Sequence, residues 1–144
     1  MHLDPGNVNV YFNRGIAYSL LEQFQLAIQD FNEAIHLDPV NPLLYSSRGL
    51  VYDFLDQYQM AIGDYDKAIS LDGENAIHFY NRGLTYFDMG QHQRAIDDYD
   101  EAILLEPANG LVYRNRSIVY RILGQYTEAD ADEAKACFLD STLC

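Results

Sequence analysis

The stretch that decides the fold is residues 8–41, VNVYFNRGIAYSLLEQFQLAIQDFNEAIHLDPVN, because its pattern returns three more times in the 144-residue chain. Its arginine recurs every 34 residues, as Arg14, Arg48, Arg82 and Arg116. A tyrosine column and an alanine column show the same spacing. A fixed period of this length is typical of architectures in which stacked units share a continuous core. The predicted repeats are 8–41, 42–75, 76–109 and, with the final residue included, 110–144.

The sequence pattern of each repeat predicts two helices joined by a short turn. Apolar residues recur at intervals of three and four in both halves of the repeat, which is the period of an amphipathic helix. An asparagine precedes each first helix, where its side chain can accept a hydrogen bond from the first turn. Pro or Gly follows the second helix of the first three repeats and favours its end there. The helices are predicted near residues 8–21, 24–37, 42–55, 58–71, 76–89, 92–105, 110–123 and 126–139.

The repeat carries the motif aromatic-x2-Arg-Gly-x2-Tyr, then Ala-x3-aromatic, then Pro. In the first repeat these residues are Tyr11, Arg14, Gly15, Tyr18, Ala27, Phe31, Ala34 and Pro39. The pattern resembles the tetratricopeptide repeat. The resemblance implies an all-α fold, a right-handed α-solenoid of antiparallel helix pairs. Three features depart from the usual family pattern: the arginine column replaces an apolar residue, Ser117 replaces the glycine, and Glu133 replaces the second aromatic.

A column of aspartates accompanies the arginines at the same period. Because the resemblance implies that the two helices of a repeat pack antiparallel, each arginine is expected to meet one aspartate. An arginine among glycine and aromatic residues is costly to bury without a partner. We therefore predict the structural ion pairs Arg14–Asp30, Arg48–Asp64, Arg82–Asp98 and Arg116–Asp132. The alternative is that the four arginines bind a ligand.

The two ends of the chain differ. Residues 2–5, HLDP, match residues 36–39 at the repeat spacing, so residues 1–7 are expected to be the tail of a missing upstream repeat. An apolar face of the first helix pair would then be uncovered. In the last repeat an isoleucine and an aromatic become Asp130 and Glu133. Terminal repeats need a polar outer face, so the last helix is expected to cap the array.

The net charge argues against two classes of partner, and the cysteine content argues against two kinds of structural site. With 9 Lys and Arg against 22 Asp and Glu, the formal net charge is −13. Such an excess repels phosphate backbones and anionic leaflets, so neither nucleic acid nor a membrane is an expected partner. The two cysteines are too few for a disulfide framework or a cysteine-based zinc site. A reducing, cytoplasmic setting is expected, with Cys137 as a small core residue and Cys144 as a free thiol in the tail.

No motif for catalysis, a cofactor or a metal is found in the sequence. The nucleophile elbow G-x-S-x-G, the P-loop and the dinucleotide fingerprint G-x-G-x-x-G are all missing. The acidic cluster at residues 97–101 lacks the glycine of a calcium-binding loop and is interpreted as a solvated helix face. We predict a protein that is not an enzyme and that carries neither cofactor nor metal.

One face of each first helix is left without a packing role, and it varies between repeats. We call this face the groove stripe, because the resemblance implies that it lines a concave groove holding an extended peptide or a partner helix. Its predicted binding residues are Asn9, Phe12, Asn13, Ile16, Ser47, Leu50, Phe54, Tyr80, Asn81, Leu84, Arg114, Asn115, Ile118 and Arg121. The alternative is that the variation is drift on an unused surface.

Two sets of polar residues in the groove stripe suggest how a ligand is held. A ladder of asparagines, with Ser47 between them, can bind a peptide backbone because an amide both donates and accepts hydrogen bonds. Arg114 and Arg121 lie two helical turns apart and are expected to receive an acidic side chain or a terminal carboxylate. The alternative is that these arginines are solvated or pair with acids of the last helix.

The sequence therefore predicts a scaffold that binds a protein or peptide segment. Two other interpretations remain open: a structural module that self-associates through the N-terminal face, and the targeting region of a larger enzyme.

Overall fold

The computed structural model describes residues 6–144, which form eight α-helices and one 3-10 turn and contain no strand. The helices are α1 (Val8–Leu20), α2 (Phe24–Leu37), α3 (Pro42–Phe54), α4 (Tyr58–Leu71), α5 (Ala76–Asp88), α6 (His92–Leu105), α7 (Gly110–Ile122) and α8 (Tyr126–Leu139). The turn is Ser141–Leu143. Each helix begins at its predicted residue and ends within one residue of the prediction. The segment predicted to end an earlier repeat, residues 2–5, lies outside the described residues.

Side-chain caps fix where the first helix of each repeat begins. The Oδ1 atom of an asparagine accepts a hydrogen bond from the backbone N–H two residues later, at 3.0 to 3.2 Å. The four caps are Asn7, Asn41, Asn75 and Asn109. This satisfies one of the N–H groups that a helix start leaves without a partner. The predicted role of the asparagine column is confirmed.

The chain divides into two compact modules, an N-terminal one ending at Gly73 and a C-terminal one starting at Glu74. Each holds four helices, and within each module consecutive helices pack on one another. The N-terminal core is built around Ala27, Phe31, Ala61 and Tyr65. The C-terminal core is built around Ala76, Ala95, Ile96, Tyr99, Ala102, Val112 and Val119. None of the described helices is long and apolar enough to cross a membrane.

A glycine in the first helix lets a buried ring of the second helix approach its backbone. A Cβ atom added to Gly15 would lie 2.8 Å from the Phe31 ring, and one added to Gly49 would lie 2.9 Å from the Tyr65 ring. At Gly83 the distance to the Tyr99 ring is again 2.8 Å. These separations are shorter than a normal carbon–carbon contact, so the glycine column is required by packing.

The C-terminal tail differs from the expectation. Cys137 and Cys144 form a disulfide, so the prediction of a core thiol and a free tail thiol is wrong. The reason is local: α8 ends at Leu139, and Asp140 accepts a hydrogen bond from the Thr142 N–H at 2.8 Å, which caps the following turn. This turn brings the end of the chain back to α8. Comparing equivalent positions of the repeats could not show a contact that occurs only once.

Candidate peptide-binding surface

Each repeat is held together by a bidentate ion pair between its two helices. The arginine donates from Nε and Nη2 to the two carboxylate oxygens of the aspartate sixteen residues later, at 2.6 to 2.9 Å. The pairs are Arg14–Asp30, Arg48–Asp64, Arg82–Asp98 and Arg116–Asp132. The aspartate side chains are only 6 to 8% exposed. All four pairs predicted from the sequence are present.

Aromatic rings complete the surroundings of each guanidinium group. In α3 the Arg48 Cζ atom lies 5.9 Å from the centre of the Tyr45 ring and 5.8 Å from that of Tyr52. The same two positions, three residues before and four residues after the arginine, carry rings in every repeat. The hydrogen bond to Asp64 raises the pKa of Arg48 above its ordinary value. Cation–π contacts of this kind favour the charged arginine where it is desolvated.

Some of these arginines also join neighbouring repeats within a module, a role that the sequence analysis missed. The Nη1 atom of Arg48 donates to Asn32 Oδ1 of α2 at 2.5 Å. In the C-terminal module the Nη1 atom of Arg116 donates to Asp100 of α6. Asn32 and Asp100 occupy equivalent positions of their repeats, so the repeat spacing could have predicted these contacts between repeats. The contacts favour the structural interpretation of the arginine column over ligand binding.

In the N-terminal module, apolar members of the groove stripe are exposed. Ile16 of α1 is 37% exposed, while Leu50 and Phe54 of α3 are 41% and 71% exposed. The Phe54 ring stacks on Phe24 with centroids 5.7 Å apart. The remaining predicted members here are Asn9 and Asn13, which are exposed, Phe12, which is half-buried, and Ser47, which is buried. This face offers an apolar surface with amide groups beside it.

In the C-terminal module, the groove stripe is partly closed by its own hydrogen bonds. Asn115 donates from Nδ2 to the Tyr80 hydroxyl oxygen at 2.9 Å, and desolvation raises the pKa of Tyr80. Asn81 is buried, unlike Asn13, so the predicted ladder of amides is not equally accessible along its length. A small cavity of about 50 Å³ lies beside Asn115 and is lined by Leu84, Phe87, Tyr99, Asn115 and Ile118.

Arg114 and Arg121 have different surroundings. Arg121 donates from Nε and Nη2 to Glu133 at 2.8 and 2.6 Å, and from Nη2 to Asp130 at 2.9 Å. This pairing lowers the pKa of Glu133. The exposed Arg114 side chain forms no ion pair with any residue in 6–144. Of the two predicted anion-binding residues, Arg121 is therefore already engaged by acids of the last helix.

Arg114 instead lines a larger cavity in the C-terminal module. This cavity of about 650 Å³ lies between α7, α8 and the C-terminal turn, and Ile118, Glu133 and Leu143 also line it. This cavity could not be predicted from the repeat pattern, because its third wall depends on the path of residues 142–144. The seven-residue spacing of Cys137 and Cys144 was the one feature of the sequence that could have indicated this path.

Residues 6–144 form eight helices in antiparallel pairs, with an ion pair to a buried aspartate in every repeat and a variable face on each first helix. This arrangement defines a helical-repeat protein of the α-solenoid class. The chain belongs to the tetratricopeptide repeat family. Models of that family match residues 8–41, 43–75 and 76–109. The predicted fold class is confirmed.

Solved structures show the same fold. A crystal structure of MamA is similar, with a TM-score of 0.89 and 28% sequence identity, over 96% of this chain and 81% of that one. YrrB, described as a TPR protein with an unusual peptide-binding site, matches with a TM-score of 0.81 and 20% identity, over 97% and 73%. The first TPR of Spaghetti (RPAP3), bound to an HSP90 peptide, matches with a TM-score of 0.79 and 24% identity, over 86% and 98%. No curated protein matches the sequence.

Proposed function

We propose that this protein is an interaction scaffold that binds an extended peptide or protein segment on the groove stripe. The observation that carries the proposal is the exposed apolar surface formed by Ile16, Leu50 and Phe54 on the first helices of the N-terminal module. Adjacent exposed apolar residues on a soluble protein often mark an interaction site. YrrB and RPAP3 are described with peptides, but at their level of identity they support the fold alone, so the proposal rests on this surface.

The polar residues beside this surface suit a peptide backbone. Asn13 is exposed and lies three residues before Ile16, on the same face of α1. Its amide both donates and accepts hydrogen bonds. In the C-terminal module, Asn115 donates one side-chain N–H to Tyr80. Its amide has a second N–H and a carbonyl oxygen with which a peptide backbone could bond. Arg114 is the cation that we assign to an acidic side chain or terminal carboxylate of the bound segment.

The proposal assigns no catalytic role and no partner of nucleic acid or lipid, which the net charge of −13 disfavours. It places the protein in the cytoplasm, on the basis of its low cysteine content. Recovery of a persistent Cys137–Cys144 disulfide from cells would instead place it in an oxidising compartment.

The proposal can be tested with a phage-displayed library of random 16-residue peptides selected on the whole chain. Enriched peptides are synthesised, and their affinity is measured by fluorescence polarisation. We expect Leu50→Asp to weaken binding at least about tenfold, because a charge at the centre of the apolar surface would have to be desolvated.

The matched control is Met60→Asp, which changes an exposed apolar residue of α4. Because α4 is the second helix of its repeat and is not part of the groove stripe, this variant should leave binding intact. Light scattering of the free chain shows whether the chain self-associates. Failure to enrich any peptide, or equal affinity for the Leu50→Asp variant and the unchanged chain, would overturn the proposal.

A further inference from the structure

The C-terminal turn lies against the start of α7. The Cδ1 atom of Leu143 lies 3.0 Å from where a Cβ atom on Gly110 would be, so the leucine packs on this buried glycine. The turn also contacts α8. Residues 142–144 form one wall of the 650 Å³ cavity that Arg114 and Ile118 line.

Few interactions hold this turn besides the disulfide. Asp140 Oδ1 accepts from the Thr142 N–H and hydroxyl, both at 2.8 Å, and the Asp140 carbonyl accepts from the Leu143 N–H at 3.0 Å. Leu143 is the one residue of Ser141–Cys144 that is not exposed. A three-residue 3-10 turn with a single apolar anchor has little stability of its own, since short helical turns are marginal in water.

We propose that Cys137 and Cys144 form a thiol–disulfide exchange site that fastens the C-terminal turn to the last helix pair, and that reduction by a dithiol releases the turn. Cys144 is exposed and Cys137 is half-buried, so we assign the attack to Cys144, the more exposed residue of the two. Disulfides in a reducing compartment are typically of this transient, redox-sensing kind.

The chemistry is a two-electron exchange. A thiolate of the dithiol attacks the Cys144 Sγ atom, and the bond between the two protein sulfurs breaks, with Cys137 leaving as a thiolate that takes up a proton. The second thiol of the reagent then attacks the mixed disulfide and closes its own disulfide. The Cys144 thiolate is released and protonated, so the dithiol is oxidised and the protein gains two thiols.

Release of the turn changes the surface of the C-terminal module. Removal of Thr142, Leu143 and Cys144 opens the cavity on one side and uncovers Gly110. Arg114 and Ile118, which are already exposed, then lose the turn as one wall of the cavity that they line. The proposal does not depend on peptide binding, because its direct consequences occur in the turn itself.

The test is hydrogen exchange of the Leu143 amide in the whole chain, with and without the dithiol dithiothreitol. Alkylation and mass measurement count free thiols in the same samples. We expect no free thiol before treatment and two after it, with exchange of Leu143 accelerated at least about tenfold as its local protection is lost. Cys144→Ser serves as the control: its Leu143 amide should exchange rapidly with or without the reagent.

Two outcomes would overturn the proposal. One is that two thiols remain free after air oxidation, which would show that the bond does not form in solution. The other is equal exchange of Leu143 in the oxidised and reduced chains, which would show that the turn stays docked without the bond. Far-UV circular dichroism of each sample confirms that the eight helices are intact when exchange is compared.

Discussion

The third and fourth repeats are built on the same internal frame but differ at the positions next to it. In α5 and α6, Gly83 allows the buried Tyr99 ring to lie against the helix backbone. In α7 and α8, the equivalent positions are Ser117 and Glu133, and the Glu133 carboxylate turns to Arg121. Both repeats keep the arginine–aspartate pair.

This difference separates two kinds of constraint on a repeat. The ion pair joins the two helices of one repeat, and it is therefore retained in all four. The aromatic residue next to it fills the core, and it can be exchanged for a carboxylate where the surroundings supply a counter-ion. Glu133 shows this, since it is 47% exposed and paired, whereas Tyr99 is 1% exposed.

The largest expected effect tests whether the internal frame is equally important in both repeats. Arg116→Leu leaves Asp132, with an 8% exposed side chain, without its bidentate partner. We expect the free energy of unfolding to fall by about 3–5 kcal/mol, as when one member of a buried ion pair is removed. Arg82→Leu in the third repeat should cost a similar amount. Urea denaturation of both variants measures the two losses.

A double-mutant cycle provides the control for that experiment. Arg116→Leu combined with Asp132→Leu should be much less destabilising than the two single losses added together, because no charge is left buried. Additive losses would contradict a direct interaction in solution. A far smaller loss at Arg116 than at Arg82 would show that the frame weakens in the last repeat.

The second prediction concerns the glycine and its ring. Gly83→Ser places a Cβ atom 2.8 Å from the Tyr99 ring, which must then shift. Such overpacking costs about 1–3 kcal/mol. The reverse change in the fourth repeat, Ser117→Gly, should cost less than about 1 kcal/mol, which is the usual penalty of glycine within a helix. Equal losses in urea denaturation would show that the ring does not determine the glycine.

The third prediction concerns alkaline pH. Burial raises the pKa of Tyr99 above its ordinary range, so the folded chain keeps this hydroxyl neutral after the unfolded chain has ionised. The stabilising contribution is therefore complete below about pH 10 and is lost as the pH rises further, by about 1.4 kcal/mol per unit. Tyr99→Phe should make the fall in stability between pH 9 and pH 11 less steep. An unchanged slope in urea midpoints would contradict the burial of the hydroxyl.

The fold could be predicted from the sequence because it depends on columns that recur. Gly83, Arg82 and Asn75 each have equivalents in other repeats, so the period, the caps and the ion pairs could be read together. The pairing of Cys137 with Cys144 has no equivalent in another repeat, and it depends on a single turn beyond α8. The repeat pattern also could not predict whether Arg121 is free to bind a ligand, because this depends on which rotamers bring Glu133 and Asp130 to it.

The smallest expected effect concerns the exposed ion pair that takes the place of the aromatic residue. Arg121 and Glu133 have side chains 43% and 47% exposed, so solvent screens their attraction. Arg121→Gln should leave the melting temperature unchanged. The local effect is nevertheless measurable, because the hydrogen bond from Arg121 holds the pKa of Glu133 below its ordinary value. Since a lowered carboxyl pKa stabilises the fold only above the ordinary pKa, any contribution of this pair is present at neutral pH and is lost on acidification.

Carbon-13 NMR titration of the Glu133 carboxyl can distinguish the two arginines of the groove stripe. In Arg121→Gln the Glu133 pKa should rise to its ordinary value of about 4.3. Arg114→Gln is the matched control, and it should leave the Glu133 pKa where it is, because Arg114 forms no ion pair with any of residues 6–144. A Glu133 pKa that responds to Arg114→Gln instead would exchange the roles of the two arginines. Arg121 would then be the cation available to an acidic partner, and the ionic replacement of the aromatic column would have to be assigned to Arg114.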